Sequence, residues 1–296
     1  MGMASAQRSS GDWKVAIWFI LPAIFGFAVF YLLPMARGLQ ISVTNWDLLS
    51  DPVFVGFANY RALLEDSHFH HALLTTVTYV LVNITTQTVA GLGIAVLMQR
   101  VCQSTALRSI LLVPWLVPNV TVAVVTLFIL DPNIGLLNHI IGFFHVGPIA
   151  FYGNPDLAIY TVALVNSWRN MGYTALLIFA GMQMIPQMIY EAAEVDGSGA
   201  WRTFFTITLP LVRPVLAMVV IVSVIGSFQI FDTVAVATKG GPVGSTRVIY
   251  FYIYEKAFQQ GQMGYAASMA VVLLLIILAM TVVQMRLARA TETDLD

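Results

Sequence analysis

Charge is scarce in this sequence. Lys, Arg, Asp and Glu make up 10% of its 296 residues, while 58% are hydrophobic. A soluble domain carries about a quarter of its residues as charge, so too few ionic groups are present to coat a water-facing surface of this size. Long apolar runs place the chain among membrane proteins instead. A net charge of −1 supplies no field that would attract nucleic acid. The single cysteine, Cys102, excludes an internal disulfide framework. Lysine is almost as rare: Lys14, Lys239 and Lys256 are all there are, and none follows a glycine. A phosphate-binding loop of the Gly-Lys-Ser/Thr type, in which backbone N–H groups and the lysine meet the phosphates, is therefore excluded. Neither a low-complexity tract nor an inverted internal repeat of the secondary-transporter kind is visible.

The histidines add little. His68, His70 and His71 fall within four residues, but such near neighbours on a helix do not converge on one ion and no cysteine stands beside them. A solvated segment is the better reading, and no metal or cofactor is expected on this chain. His139 and His145 also lie outside the apolar runs. Ser198, between Gly197 and Gly199, thus lacks a base on its own side of a membrane, which argues against an intramembrane hydrolase.

What the sequence does have is six apolar stretches, at 15–36, 73–98, 110–130, 157–184, 215–237 and 266–285. Each is long enough for about 30 Å of hydrocarbon at about 1.5 Å per residue. The expected architecture is an all-α membrane protein with six transmembrane helices. Its transmembrane domain covers 15–285, flanked by short tails at 1–14 and 286–296. The first stretch follows Arg8 and Lys14 but is too long for a signal peptide and has no small-x-small cleavage site. With a cytoplasmic N-terminus, eight basic residues lie inside (Arg8, Lys14, Arg100, Arg108, Arg202, Arg213, Arg286, Arg289) and five outside (Arg37, Arg61, Lys239, Arg247, Lys256). This excess orients both termini, and the segment 186–210, toward the cytoplasm. The interrupted apolar segment 134–149, broken by Asn138, Gly142 and Pro148, reads as an interfacial helix on the outer surface.

The segment 186–210 is the most informative. Pro186 stops or opens a helix. Glu191, Ala192, Ala193 and Glu194 favour one, and Gly197 after Asp196 suits a left-handed helix end. Residues 201–208 read as a second short amphipathic helix, and Pro210 suits the first turn of the next span. An ordinary helical loop would use the same residue types. The spacing, however, is specific: Glu-Ala-Ala, three intervening residues and a glycine, then Ile207-x-Leu209-Pro210. It resembles the signature loop of the permeases of binding-protein-dependent ATP-driven importers. Further segments resemble the carbohydrate-type branch, and within it the maltose-type larger permease subunit without extra N-terminal spans or a large external domain. They are Gly56-Phe57-x-Asn59-Tyr60 with Asp66, Gly135-Leu136-Leu137-Asn138, Phe228-Gln229-x-Phe231-Asp232, Gly240-Gly241-Pro242, Thr246, Tyr254 and Ala257-Phe258.

The resemblance implies the type I importer permease fold and a set of partners: a second permease subunit, a cytoplasmic ATPase dimer using ATP and Mg, and an external solute-binding protein. It also implies that Glu191, Ala192, Ala193, Asp196, Gly197, Ile207, Leu209 and Pro210 form the element that docks on the ATPase. The solute would be a sugar, with a polyol or glycerol-phosphate-type solute as the alternative; a secondary transporter would explain the hydropathy but not the loop.

Polar residues within spans mark candidate pathway groups. Asn166, Asn170 and Tyr173 share one helical face beside Arg169, Trp168 offers an aromatic platform, and Gln229 and Asp232 stand three apart. Helix–helix adhesion is the competing reading, with Arg169 paired to Asp232 or reaching for water. Asn83, Thr85, Thr86, Gln87 and Thr88 read as packing or pathway lining. The charge asymmetry yields a direct test: an impermeant thiol reagent applied to intact cells should leave Cys102 unlabelled and label it after permeabilisation, and labelling of sealed cells would reverse the topology.

Overall fold

The computed structural model describes residues 12–100 and 104–290. Cys102 and the extreme ends of both tails lie outside the described residues. The elements in chain order are α1 (Asp12–Phe27), α2 (Leu33–Ser42), β1 (Thr44–Asn45), β2 (Val53–Phe54), α3 (Ala58–Glu65), α4 (Ser67–Arg100), α5 (Thr105–Leu116), α6 (Asn119–Ile129), α7 (Leu136–Gly142), α8 (Ala158–Met182), α9 (Gln187–Val195), α10 (Ala200–Thr203), α11 (Leu209–Phe228), α12 (Ile249–Tyr254) and α13 (Met263–Ala290). Among the described residues, four continuous stretches are long and apolar enough to span by themselves: Ile17–Ser42, Ser67–Gln99, Ala200–Phe228 and Met263–Ala288. Joining the bent pairs α5–α6 and α8–α9 brings the count to six, in agreement with the hydropathy of the sequence.

Three boundaries differ from those expected, each for a local reason. The stretch 110–130 is not one rod: α5 and α6 meet at 91°. Pro118 lacks an N–H, and Val117 before it takes the extended conformation (φ −74°, ψ 133°) that a residue preceding proline prefers. The expected second helix at 201–208 is not separate from the fifth span, because a π-helical turn at Phe204–Thr208 joins α10 to α11 without a break. That turn ends two residues before Pro210, where a widened helix relieves the clash of the proline ring with the carbonyl four residues back. The same arrangement recurs in the first span, where the π turn Ala28–Leu32 precedes Pro34. The helix that carries the fifth apolar stretch therefore runs from Ala200 to Phe228, starting before residue 215 and ending before residue 237. In the segment 134–149, only the seven residues of α7 are helical. The Asn138 side chain fixes the rest, donating to the Asp131 and Ile149 carbonyls (3.0 Å each) and accepting from Ile149 N (2.8 Å).

The chain divides into two compact units, one of residues up to Glu65 with Lys256–Val272, the other Asp66–Glu255 with the rest of α13. In the first, β1 and β2 pair antiparallel with Thr44 opposite Phe54 and Asn45 opposite Val53. Asn59 donates to the Ser42 and Thr44 carbonyls (2.9 and 2.8 Å), and Tyr60 OH meets Ser42 Oγ at 2.7 Å. The Gly56-Phe57-x-Asn59-Tyr60 motif thus ties α3 to the end of α2. Asp47 closes the hairpin by accepting from the backbone and hydroxyl of Ser50 and from Leu49 N, which holds its carboxyl down at about 2.

In the second unit, α4, α8 and α11 pack around Ala95, Met98, Ala175, Ile178, Phe179, Met182, Val212 and Val219. Small residues let helices approach: a Cβ at Gly91 on α4 would lie 2.6 Å from Thr174 Cγ2 on α8, and one at Gly172 on α8 would collide with the Leu111 carbonyl oxygen of α5. Asp66 caps α4 through the N–H groups of His68 and Phe69 (2.8 and 3.2 Å) and accepts from Tyr252 OH at 2.8 Å. Burial, and then this carboxylate, push the Tyr252 hydroxyl well above its usual range. Since overpacking costs about 1–3 kcal/mol, Gly172→Ala should lower the thermal stability of the detergent-solubilised complex. Gly226→Ala should not, because its Cβ would project into open space. Equal melting temperatures for the two variants would contradict this packing.

Candidate functional site

The spacing of polar residues on α8 converges on a cavity. Asn166, Arg169, Asn170 and Tyr173 all line one 410 Å³ cavity in the second unit, joined by Tyr79, Asn83 and Gln87 from α4, Trp115 from α5, Asn119 from α6 and Gln229 and Asp232 after α11. This volume lies within the range of small-molecule sites, about 300–1,000 Å³. Of the seven residues proposed from sequence, six are brought together. Trp168 is the exception: it lies about 200° around the helix from Asn166 at about 100° per residue and is 48% exposed on another face. The aromatic wall comes instead from Trp115 stacked on Tyr173, with centroids 4.6 Å apart and planes 8° from parallel.

Arg169 neither pairs with Asp232 nor snorkels. Its Nη2 donates to the Trp115 carbonyl (2.9 Å), Nε to the Val117 carbonyl (3.1 Å) and Nη1 to Asn170 Oδ1 (3.3 Å). It satisfies carbonyls that the break at Pro118 leaves without helical donors, groups whose desolvation in hydrocarbon would cost several kcal/mol each (about 2–7 kcal/mol). Asp232 accepts from Asn119 Nδ2 at 3.0 Å. Other polar groups of the wall are bonded to each other: Asn83 to Ser227 (3.0 Å), Gln87 to Thr174 and Ser223 (2.8 and 3.2 Å), and Thr233 to Asn166 (3.2 Å). Helix adhesion and cavity lining, alternatives in the sequence, are here carried out by the same side chains. Tyr79, Trp115 and Asn119 went unnoticed in the sequence because each sits within an apolar run with no neighbour to mark its face.

The loop 186–210 forms a second element. Pro186 precedes α9, which carries Glu191, Ala192 and Ala193. The helix ends at Gly197 (φ +71°), a conformation easy only for glycine. Ser198 N donates to the Ala193 carbonyl (2.9 Å) and Gly197 N to that of Glu194 (3.0 Å). This is the pair of bonds that defines a Schellman cap. Ala193 is buried, while Glu191, Ala192 and Asp196 are exposed. Ile207 lies in the π turn, and Leu209 and Pro210 open α11, so these three belong to the span. Tyr190 OH meets Thr208 Oγ1 at 3.2 Å and ties α9 to it. Met184, Met188, Val195 and Trp201 are 70–88% exposed around this helix, a small apolar surface that the sequence motif did not single out.

Residues 87–293 match the family described as binding-protein-dependent transport system inner membrane component. The chain belongs to this family. As such a component it is a multi-pass membrane permease, a translocating subunit and not an enzyme. It is similar to the probable ABC transporter permease protein YurN of Bacillus subtilis, with 32% identity over 282 residues covering 93% of this chain and 96% of that one. It is similar also to the trehalose/maltose transport system permease protein MalF of Thermococcus litoralis, with 31% identity covering 93% and 94%. Its fold matches a solved bacterial ABC transporter involved in the import of the acidic polysaccharide alginate, with a TM-score of 0.83 over 95% of this chain and 97% of that one, at 22% identity. For this permease, the stacked Trp115–Tyr173 wall predicts the outcome of two substitutions. Aromatic pairs contribute about 0.5–1.5 kcal/mol beyond area burial, so Trp115→Ala should reduce solute uptake about 2–10-fold, whereas Trp168→Phe should leave uptake within the error of the assay.

Proposed function

We propose that this permease carries a saccharide-type solute into the cytoplasm, taking it from an external binding protein, beside a second permease subunit and above an ATPase dimer that uses ATP and Mg. The observation that carries the solute class is the composition of the cavity: six side-chain amides, of Asn83, Gln87, Asn119, Asn166, Asn170 and Gln229, and a stacked aromatic pair. Amides both donate and accept, as hydroxyl-rich solutes require, and a flat aromatic face suits a sugar ring. Two relatives point the same way, transport system permeases for trehalose and maltose and for sulfoquinovosyl glycerol. A third, the sn-glycerol-3-phosphate transport system permease of Yersinia pseudotuberculosis, favours the second reading, an anionic polyol phosphate met by Arg169. Against it, three of the five Arg169 N–H donors already bond the Trp115 and Val117 carbonyls and Asn170. The cavity also holds the carboxylate of Asp232, so a neutral polyhydroxy solute is the better match.

Coupling to the ATPase is assigned to α9 and its cap, with both termini cytoplasmic. The support is the exposed apolar set around a helix whose end is fixed by its own backbone, with Glu191 outward. A charge-assisted hydrogen bond from Glu191 to a basic partner is worth about 1.5–3 kcal/mol, and a β-branched residue at the left-handed Gly197 costs about 1–3 kcal/mol in strain. Gly197→Val and Glu191→Ala should therefore lower solute-stimulated ATP hydrolysis of the reconstituted complex by about tenfold or release the ATPase from the membrane. Solute binding by the external protein should stay at its parental level. Parental ATPase activity and retention in both variants would remove α9 from the coupling path.

A further inference from the structure

The break between α5 and α6 is held from both sides by charged residues of the cavity. On the α5 side, Arg169 reaches across from α8 to the carbonyls of Trp115 and Val117. On the other, Asn119, the first residue of α6, donates to Asp232. Arg169 and Asp232 do not use each other, although both line the same cavity. The bend of 91° is thus secured by two polar grips that face the space a solute would occupy, and the ring of Trp115, on the gripped end of α5, is itself part of the wall through Tyr173. A hydroxyl-rich solute offers acceptors to the guanidinium and donors to the carboxylate, the same bonds that the broken helix now supplies.

We propose that Arg169 and Asp232 form a two-sided latch on the α5–α6 bend, which a passing solute must displace, so that the bend opens as the two groups let go. Arg169 is then a positioning residue that sets a gate, rather than the counter-ion of an anionic solute. The inference rests on the reading of this cavity as the solute pathway. It differs from a purely structural role in one respect: removal of either grip changes the geometry and the resting activity of the transporter without preventing its assembly.

The test uses the assembled complex in lipid nanodiscs. Cys102 is the only cysteine of this sequence, so Cys102→Ser, assembled with cysteine-free versions of the other subunits, leaves a clean background for spin labels at Leu107→Cys and Phe128→Cys, both exposed and each ten residues from the break. At about 1.5 Å per residue, a right-angle bend puts these positions about 21 Å apart and a straightened helix about 30 Å apart. The parent should give a narrow distribution at the short distance. Arg169→Ala and Asp232→Ala should broaden it toward the long one and raise basal ATP hydrolysis, measured without binding protein, about 3–10-fold. Arg169→Lys, which retains the charge but offers one compact donor group, should restore the short distance in part. Unchanged distributions in both alanine variants overturn the latch. Should those variants fail to assemble, Asn119→Ser removes a single grip, and an unchanged distance there overturns it equally. An opened bend with parental maltose and trehalose uptake, for a complex that transports either, keeps the two grips on the bend but overturns their displacement by solute, because it removes the cavity from the pathway. An unchanged bend with lost uptake overturns the latch and keeps the cavity in the pathway.

Discussion

Backbone amides inside a bilayer have no water to turn to, and this requirement organises the molecule. Where a helix runs straight, as in α4 or α8, the chain satisfies itself. Where it breaks, something else must meet the exposed carbonyls. At Val117 and Pro118 that something is Arg169. The most expensive side chain in the span is therefore the one that makes the bend tolerable, and the bend in turn brings Trp115 and Asn119 to the cavity wall. At Pro34 and Pro210 the chain solves a milder version of the problem within one helix, by widening a turn to π geometry instead of breaking.

The three packed helices of the second unit divide their surfaces unevenly along their length. One end interdigitates apolar residues, with Met98, Ile178, Met182 and Val212 fully buried. The other carries Asn83, Gln87, Asn166, Ser223 and Ser227, joined in hydrogen bonds that both cross-link the helices and face the cavity. Each such bond within a membrane is modest, about 0.6 kcal/mol on average, so a wall built from them can rearrange one contact at a time while the apolar end keeps the helices in register. From the cavity, α8 leads through Gln183 to Pro186 directly into α9. The polar wall and the capped helix α9 are consecutive segments of one chain.

Much of this was legible from residues alone because the relevant signals were local. The glycine at 197, five to six positions after Glu191 and Ala192, requires a left-handed helix end, and the structure shows one. The face shared by Asn166, Asn170 and Tyr173 follows from helical periodicity. What escaped was long-range or depended on a single break. Trp168 adjoins Arg169 in sequence and so reads as an aromatic platform, but adjacent residues on a helix point about 100° apart, and the partner ring comes from α5, more than fifty residues earlier. Pro118 sits in a run apolar enough to read as one straight span, and without the break the carbonyls that Arg169 meets do not show; solute, Asp232 or water are then the partners the sequence offers it. The fusion of residues 201–208 with the fifth span was hidden because proline is read as a helix start, while a π turn lets it sit ten residues inside.

The cap of α9 has a thermodynamic corollary. A segment that becomes ordered only on contact gives up about 1–2 kcal/mol of backbone freedom per residue, and that loss is subtracted from whatever the contact yields. The two bonds from Ser198 and Gly197 close the helix with groups of its own loop, so its nine residues already hold their shape. The docking proposed for α9 would then leave little disorder to remove, and a displacement imposed at one end of the helix would reach the other without being absorbed by fraying.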